Sequence, residues 1–253
     1  MCLLSFAYDT HPEYSLVFAG NRDEFYGRPT APAEFWEEAP HVLAGRDLQA
    51  GGTWMGVTRN GHWGVVTNVR APGAYRPDAR SRGALVSEYL VEEPNPKTYL
   101  QHVAGEAGSY NGFNLLLGTA DTLYYLSSQQ REVRSVAPGI HGLSNDQLDT
   151  PWPKVEAATA GLHEQLQNGS VEPDALLHLL DQREPFSEER LPDTGVGQET
   201  ERLLSPIFIE AEDYGTRAST VLLIERTGTI TVVERTFEEG VVAATRRFSF
   251  QLE

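Results

Sequence analysis

The strand-like segments of this chain come in pairs joined by short turns, which restricts the fold to sheets built largely from neighbouring hairpins. The clearest pair, TWMGVTR and HWGVVTN, flanks Asn60-Gly61, a dipeptide typical of tight hairpin turns. Three further pairs of apolar runs flank short polar turns. These turns are THPE at 10–13, Ala120-Asp121 and Thr227-Gly228. The pattern predicts mostly antiparallel sheets.

The segments between these pairs predict helices with recognisable ends. Ser81 is the predicted cap of one helix, and Asn95 caps a second that begins at Pro96. Thr150-Pro151 repeats that arrangement before a third helix, which Asn168-Gly169 should end. A short helix from Pro173 follows, and the acidic segment 184–201 lacks periodicity and predicts a surface loop.

The order of these elements defines the fold class. Strand pairs come first, helices and further strands fill the middle, and strands close the chain, without strict strand–helix alternation. We therefore predict an α+β fold of antiparallel sheets covered by helices. No shift in composition marks a boundary, so residues 1–253 are expected to form a single domain.

Composition excludes several classes of function. The formal net charge of −16 disfavours nucleic acid as a partner. One cysteine cannot form an internal disulfide, and no apolar run is long enough to span a bilayer. Together with the lack of a signal-peptide pattern, this predicts a cytoplasmic protein without a membrane span. The seven histidines form no ligand motif, so no metal and no cofactor are expected.

Cys2, the single cysteine, directly follows Met1. Removal of Met1 would place a thiol and a free α-amine on one residue. The pKa of such an amine is about 7.7–8.0, so the amine can accept the thiol proton. This is the arrangement of an N-terminal nucleophile. Spacing alone favours the simpler interpretation, a small buried apolar residue at the start of a strand.

A polar cluster at residues 21–24, with the sequence NRDE, follows the apolar run of the second strand. Because the first two strands form a hairpin, the end of the second lies beside Cys2. Asp23 could hold a protonated amine, and Arg22 could bind a substrate carbonyl or carboxylate. The alternative is a solvated turn with a surface salt bridge.

Three other polar residues lie at the ends or starts of strands. Asn68 and Asn145 end the runs GVVTN and GLSN, and their amides could donate hydrogen bonds to an oxyanion. Asparagine is also common at strand ends for structural reasons. Arg217, in YGTRAST, could anchor an anionic group or lie on the surface.

Seven sequence elements together resemble the NRDE family, also called the transport and Golgi organisation family. They are Cys2, NRDE at 21–24, GGTW at 51–54, NGFN at 111–114, GLSN at 142–145, TPW at 150–152 and YGTR at 214–217. The resemblance runs through nearly the whole chain in order. It implies the four-layer αββα sandwich of N-terminal-nucleophile hydrolases.

The resemblance also implies a set of site residues. In the choloylglycine hydrolase and penicillin V acylase group, an N-terminal cysteine attacks an amide. Cys2, Asp23, Asn68 and Asn145 match the catalytic positions of that group, and Arg217 matches its late arginine. Those hydrolases have an arginine three residues before the aspartate, where this chain has Gly20. Arg22 lies on the same side of the strand as Gly20 and could substitute.

Two functions from different classes follow. The first is a hydrolase that cleaves a non-peptide amide or a thioester of a small molecule through Cys2, with Arg22 and Arg217 binding substrate. The second is a non-catalytic carrier that binds haem or an acyl compound on the same fold, because the family has been connected with both. The second could use a histidine or Cys2 as an axial ligand. The state of residue 2 distinguishes them, because only the hydrolase needs a free α-amine.

Overall fold

The computed structural model describes residues 2–167 and 171–253, which form antiparallel strands and short helices. The strands β1 to β13 are Cys2–Tyr8, Tyr14–Phe25, Thr30–Phe35, Val42–Asp47, Met55–Thr58, Trp63–Asn68, Phe113–Gly118, Leu123–Ser127, Val133–Ser135, Gly139–Leu143, Tyr214–Glu225, Thr229–Glu238 and Val241–Gln251. The helices α1 to α5 are Gly83–Glu92, Pro96–Glu106, Pro153–Gln167, Pro173–Leu179 and Gln198–Leu203.

The chain divides into two compact units. The first comprises Met1–Gly27, Arg70–Pro72 and Pro138–Ser249, and its six-stranded sheet has the order β10-β1-β2-β11-β12-β13. The second comprises Arg28–Val69, Gly73–Ala137 and Phe250–Glu253, and its seven strands follow the order β3 to β9. The pairings of β1 with β2 and β10, of β11 with β2 and β12, and of successive strands from β3 to β9 are all antiparallel. The predicted α+β class is therefore confirmed, while the single domain over 1–253 stays a prediction.

The core of the first unit lies on one face of its sheet. Leu3 and Ala7 of β1 pack with Val17 and Ala19 of β2, because alternate side chains of a strand point to the same face. Residues of α3 and α4 belong to the same buried cluster, so these helices cover that face. This cover leaves the even-numbered residues of β1, including Cys2, on the opposite face.

The second unit has a core of its own. Helices α1 and α2 contribute buried residues such as Leu85, Tyr89 and Leu100, which cluster with Leu115 and Leu117 of β7. The hydroxyl of Tyr89 donates to the carbonyl of Gly118 at 2.9 Å, so even this fully buried tyrosine is satisfied. The unit thus pairs one sheet with two helices.

Several local predictions can be compared with the structure. The Asn60-Gly61 hairpin is confirmed: Gly61 has φ of 80°, and its N–H donates to Thr58 as in a three-residue hairpin loop. The Asn95 cap is also confirmed, since its side chain accepts from the N–H of Thr98. The Ser81 cap is wrong: α1 has Arg82 at its cap position, and the Ser81 carbonyl accepts from Ala84.

The remaining predictions concern segments that lack regular patterns. The predicted stop at Asn168-Gly169 lies outside the described residues. Segment 184–201 is largely irregular, as predicted, with a 3₁₀ turn at Glu188–Arg190 and the start of α5 at Gln198. Strands β3 and β4 were not predicted, because β3 contains a proline and β4 ends in charged residues.

Candidate active site

Cys2 lies directly opposite Arg22 in the antiparallel pair formed by β1 and β2. Both residues are buried. Directly paired residues of antiparallel strands point to the same face of a sheet, so the thiol and the guanidinium share one face. Arg22 also lies 3.8 Å from the carboxylate of Glu24. The hairpin prediction that placed NRDE beside Cys2 is confirmed.

Asn145 approaches Cys2 from the other neighbouring strand. β1 pairs with β10 from Leu4, which lies opposite Leu143. β10 ends at Leu143, and Asn145 follows it by two residues at the end of the sheet where β1 begins. The hydroxyl of Ser144 donates to the carbonyl of Cys2 at 3.0 Å, which ties the two chain segments together. Asn145 is therefore next to a residue that is hydrogen-bonded to Cys2, while Arg22 lies opposite Cys2 on β2.

Asp23 is held by strand β11. Its carboxylate accepts a hydrogen bond of 2.8 Å from the hydroxyl of Thr216, and its carbonyl accepts one of 3.0 Å from the hydroxyl of Tyr214. The register places Thr216 opposite Asp23. Asp23 is buried, and strand alternation puts its side chain on the helix-covered face.

The electrostatics of the site are dominated by burial. Burial raises the pKa of the Cys2 thiol, and the charge of Asp23 adds to this rise. Among the opposing effects are the charge of Arg22 and a hydrogen bond from the backbone N–H of Asp23. Burial also raises the pKa of Asp23, against the charge of Lys154. The thiol is therefore protonated near neutral pH and needs a proton acceptor to become a nucleophile.

Lys154, in the first turn of α3, is a member of this cluster that sequence reasoning missed. It is buried, and its Nζ donates to the carbonyl of Leu204 at 2.9 Å. Burial lowers its pKa to about 8, while the charge of Asp23 opposes that shift. Two signals could have revealed it. Lys154 shares a helix face with Ala158 and Leu162, and a cation in a first helical turn opposes the helix dipole.

Arg70 and Glu201 form a second buried charged pair in the same unit. Arg70 Nη1 contacts the Glu201 carboxylate, and the guanidinium stacks 4.8 Å from the ring centroid of Trp152. Sequence analysis placed Glu201 in a surface loop, but it is buried by α5 and the segment before it. The N–H of Thr194 donates to its other carboxylate oxygen at 2.8 Å.

Asn21, the first residue of NRDE, has a structural role. Its amide nitrogen donates to the carbonyls of Leu180 and Ile207, both at 2.9 Å. The hydroxyl of Ser219 donates to its amide oxygen at 2.6 Å. Asn21 therefore connects β2 to β11 and to the segments after α4 and α5.

Arg217 contacts the main chain at the end of β2. Its Nη1 donates to the carbonyls of Phe25 and Tyr26 at 3.0 and 2.9 Å. The register between β2 and β11 shifts at this point, because Arg217 is the extra residue between Thr216 and Ala218. These bonds give Arg217 a structural role, and its predicted contact with substrate stays a prediction.

Asn68 lies in the second unit. It ends β6, opposite Phe113 of β7, and it is half-buried. Its predicted role as an oxyanion donor therefore stays a prediction that rests on the family resemblance.

Among residues 2–167 and 171–253, no cluster of three or more histidine, cysteine, aspartate or glutamate side chains could hold a metal ion. Within the same residues, no helix is long and apolar enough to cross a membrane.

Comparison with protein families identifies the chain. The family model described as Transport and Golgi organisation 2 matches residues 1–239. The chain belongs to this family. It is 35% identical to the mouse Transport and Golgi organization 2 homolog over 93% of this chain and 92% of the relative. The human homolog is 32% identical over the whole of both chains, and the Drosophila protein is 28% identical over 93% and 92%. The predicted NRDE, or Transport and Golgi organisation, family is confirmed.

A solved structure supports the fold of this family member. A mutant of conjugated bile acid hydrolase from Clostridium perfringens superposes with a TM-score of 0.53 at 8% sequence identity. The match covers 99% of this chain and 92% of the hydrolase. At this identity the match concerns the fold alone. The predicted N-terminal-nucleophile hydrolase fold is confirmed.

Proposed function

We propose that this chain is an N-terminal-cysteine hydrolase that cleaves an amide or thioester of a small molecule once Met1 has been removed. The observation that carries the proposal is the pairing of buried Cys2 with Arg22, together with the hydrogen bond from the Ser144 hydroxyl, next to Asn145, to the Cys2 carbonyl. It supports a site in which a cation and an amide serve the single thiol.

The first half of the reaction forms an acyl-cysteine. The α-amine of Cys2 accepts the thiol proton, which is needed because burial raises the pKa of the thiol. Asp23, fixed by Thr216, orients the resulting ammonium group. The sulfur attacks the carbonyl carbon, and the Asn145 amide stabilises the oxyanion. The C–N or C–S bond then breaks, and the leaving group takes the proton from the α-ammonium.

The second half releases the acyl group. A water molecule gives a proton to the α-amine and attacks the acyl-cysteine carbonyl. The C–S bond breaks, the carboxylic acid leaves, and Cys2 recovers its proton. Asn68 stays the predicted second oxyanion donor, and Arg22 and Arg217 stay the predicted substrate-binding residues.

Intact mass spectrometry tests the proposal directly. The purified protein is first checked for loss of Met1 and then incubated with a butyryl thioester of N-acetylcysteamine. We expect one butyryl adduct on the amino-terminal peptide and slow release of butyrate. Cys2→Ala should show neither, and a variant with a bulky residue inserted after Met1 should behave like Cys2→Ala.

A binding protein on the same fold is the second candidate. The raised pKa of the buried thiol favours it, because an inert core cysteine has the same property. Haemin titration tests this function. Saturable one-to-one binding that is lost in Cys2→Ala, in a protein that shows neither acylation nor turnover, would replace the hydrolase with a carrier. The cytoplasmic location stays a prediction in both cases.

A further inference from the structure

A small cavity in the first unit is lined by both buried cations described above. Its volume is about 10 Å³, enough for about one water molecule. The residues around it come from the segment after β6, the start of α3 and the segment that leads into and past α5. They are Arg70, Trp152, Pro153, Lys154, Leu191, Pro192, Glu201, Leu204 and Ser205.

Arg70, which lines this cavity, has buried hydrogen-bond donors without a partner. Its side chain is only 6% exposed, and Nη1 is occupied by Glu201. Nε and Nη2 have no hydrogen-bond partner among residues 2–167 and 171–253. These two atoms form one edge of the planar guanidinium, which matches the two oxygens of a carboxylate. Buried donors of a charged group are rarely left without a partner, so this edge points to a ligand.

The cavity is lined by two buried cationic side chains and one buried anionic side chain. Arg70 and Lys154 are the cations, and Glu201 is the anion. Glu201 is itself fixed by two hydrogen bonds, from the N–H and the hydroxyl of Thr194. Lys154 Nζ donates to a main-chain carbonyl, and the charge of buried Asp23 acts on its pKa. The ligand is therefore indicated by the unpartnered edge of Arg70 and not by the net charge of the set.

The geometry of the Nε–Nη2 edge defines the ligand. A carboxylate supplies two coplanar oxygens that match this edge, whereas a phosphate is tetrahedral and bulkier. We propose that Arg70, Lys154 and Trp152 form a receptor for a carboxylate group of the substrate, with that group bound to the Nε–Nη2 edge of Arg70. The proposal rests on the proposed function and narrows its substrates to acyl donors that carry a second, negatively charged end.

The receptor lies within electrostatic range of Cys2 and Asp23, because the charges of both residues act on the pKa of Lys154. A carboxylate is larger than the cavity, so Leu191 and Pro192 must move when it binds. Both residues lie in the irregular segment between the Glu188–Arg190 turn and α5. Leu191 and Pro192 belong to no α-helix or strand, and a shift would break the bond of 3.2 Å from the Leu191 N–H to the Glu188 carbonyl that closes the 3₁₀ turn.

Calorimetric titration with glutarate, and with glutaramide as the uncharged control, tests binding without reference to turnover. We expect glutarate alone to bind the wild-type protein. Glu201→Gln should bind glutarate about 10-fold more tightly, because the internal carboxylate no longer competes for Arg70. Arg190→Gln is the matched control, since Arg190 is an exposed arginine of the same segment that pairs with Glu156. It should bind like wild type.

Arg70→Gln alone could fail to fold, because it leaves Glu201 buried and unpaired. The double variant Arg70→Gln/Glu201→Gln avoids this problem, and its circular dichroism confirms folding. It should bind glutarate at least about 10-fold more weakly than wild type. Equal glutarate affinity in the double variant and wild type, or no binding to either wild type or Glu201→Gln, would overturn the receptor.

A substrate pair separates this inference from the hydrolase itself. Glutaryl and glutaramoyl thioesters of N-acetylcysteamine differ only in the charge at the far end of the acyl chain. Faster acylation of Cys2 by the glutaryl ester supports both proposals. Equal rates of acylation by the two esters would contradict the receptor proposal and still support the hydrolase proposal. Glutarate binding at Arg70 without any acylation keeps the receptor and overturns the hydrolase.

Discussion

Cys2 and Arg22 face each other across the first two strands, and Asp23 is the next residue along β2. The two charged neighbours act on the thiol in opposite directions. The charge of Arg22 lowers the pKa of Cys2, whereas that of Asp23 raises it. Because the chain has a single cysteine, alkylation of thiols reports on Cys2 alone and can measure this opposition.

Arg22→Gln and Asp23→Asn should therefore shift the thiol pKa in opposite directions. The rate of alkylation by iodoacetamide increases with pH as the thiol ionises. We expect the midpoint of this increase to lie at higher pH in Arg22→Gln than in wild type, and at lower pH in Asp23→Asn. Arg226→Gln serves as the control, since Arg226 is an exposed arginine paired with Asp9 in the same unit. Shifts of the same sign in both site variants would contradict this arrangement.

Asn145→Ala should slow acylation of Cys2 by roughly 10²–10³-fold, because loss of one oxyanion donor typically costs that much. Stopped-flow or quenched mass spectrometry with a thioester gives the rate. Asn60→Ala, in an exposed hairpin loop, should react like wild type. An Asn145→Ala protein that acylates at the wild-type rate would remove Asn145 from the site.

Lys154→Met should change how stability depends on pH. Burial lowers the pKa of Lys154 to about 8 in the folded chain, from its ordinary value of 10.5. Between these values the unfolded chain binds more protons, so stability rises with pH through this window. The buried lysine lowers the free energy of unfolding at pH 7 by up to about 3 kcal/mol relative to pH 11. Lys154→Met should lack that change.

Urea unfolding of both proteins at several pH values between 7 and 11 measures this difference. Other groups titrate in the same range, and comparison of the two proteins cancels their contribution. If the stabilities of wild type and Lys154→Met run parallel across the whole range, the lysine is not the buried titrating group.

Asn21→Ala should destabilise the fold by about 3 kcal/mol, because it leaves the buried carbonyls of Leu180 and Ile207 without donors. Ser219→Ala removes a single donor from the same network and should cost about 1 kcal/mol. Urea unfolding measures both. A fully stable Asn21→Ala protein that no longer acylates Cys2 would instead make Asn21 a site residue.

Much of the architecture could be predicted from local patterns. Apolar runs around a tight turn identify a hairpin, and a hairpin fixes which strand ends are neighbours, so Arg22 and Asp23 could be placed beside Cys2. Neither β3 nor β10 could be found this way. β10 is short and mixed in character, and its pairing with β1 joins segments more than 130 residues apart.

The buried charged residues of the first unit were harder to predict. Lys154, Arg70 and Glu201 are buried, although such residues usually lie on the surface. Their burial depends on tertiary packing of α3 against the segment around α5, which no local pattern encodes. The sequence indicated the burial of Lys154 alone, through its position on the apolar face and in the first turn of its helix.

The pairing of β1 also bears on the timing of maturation. Cys2 is buried in a strand whose neighbours on both sides hold its first residues in place, through Arg22 on β2 and the Ser144 hydroxyl after β10. An aminopeptidase needs a free, extended chain end. If Met1 is removed as proposed, we expect its removal from the nascent chain, before β10 has been synthesised and the sheet has formed. A chain that folds first would keep Met1. The fraction of processed protein would therefore depend on the rate of Met1 removal relative to the rate of folding.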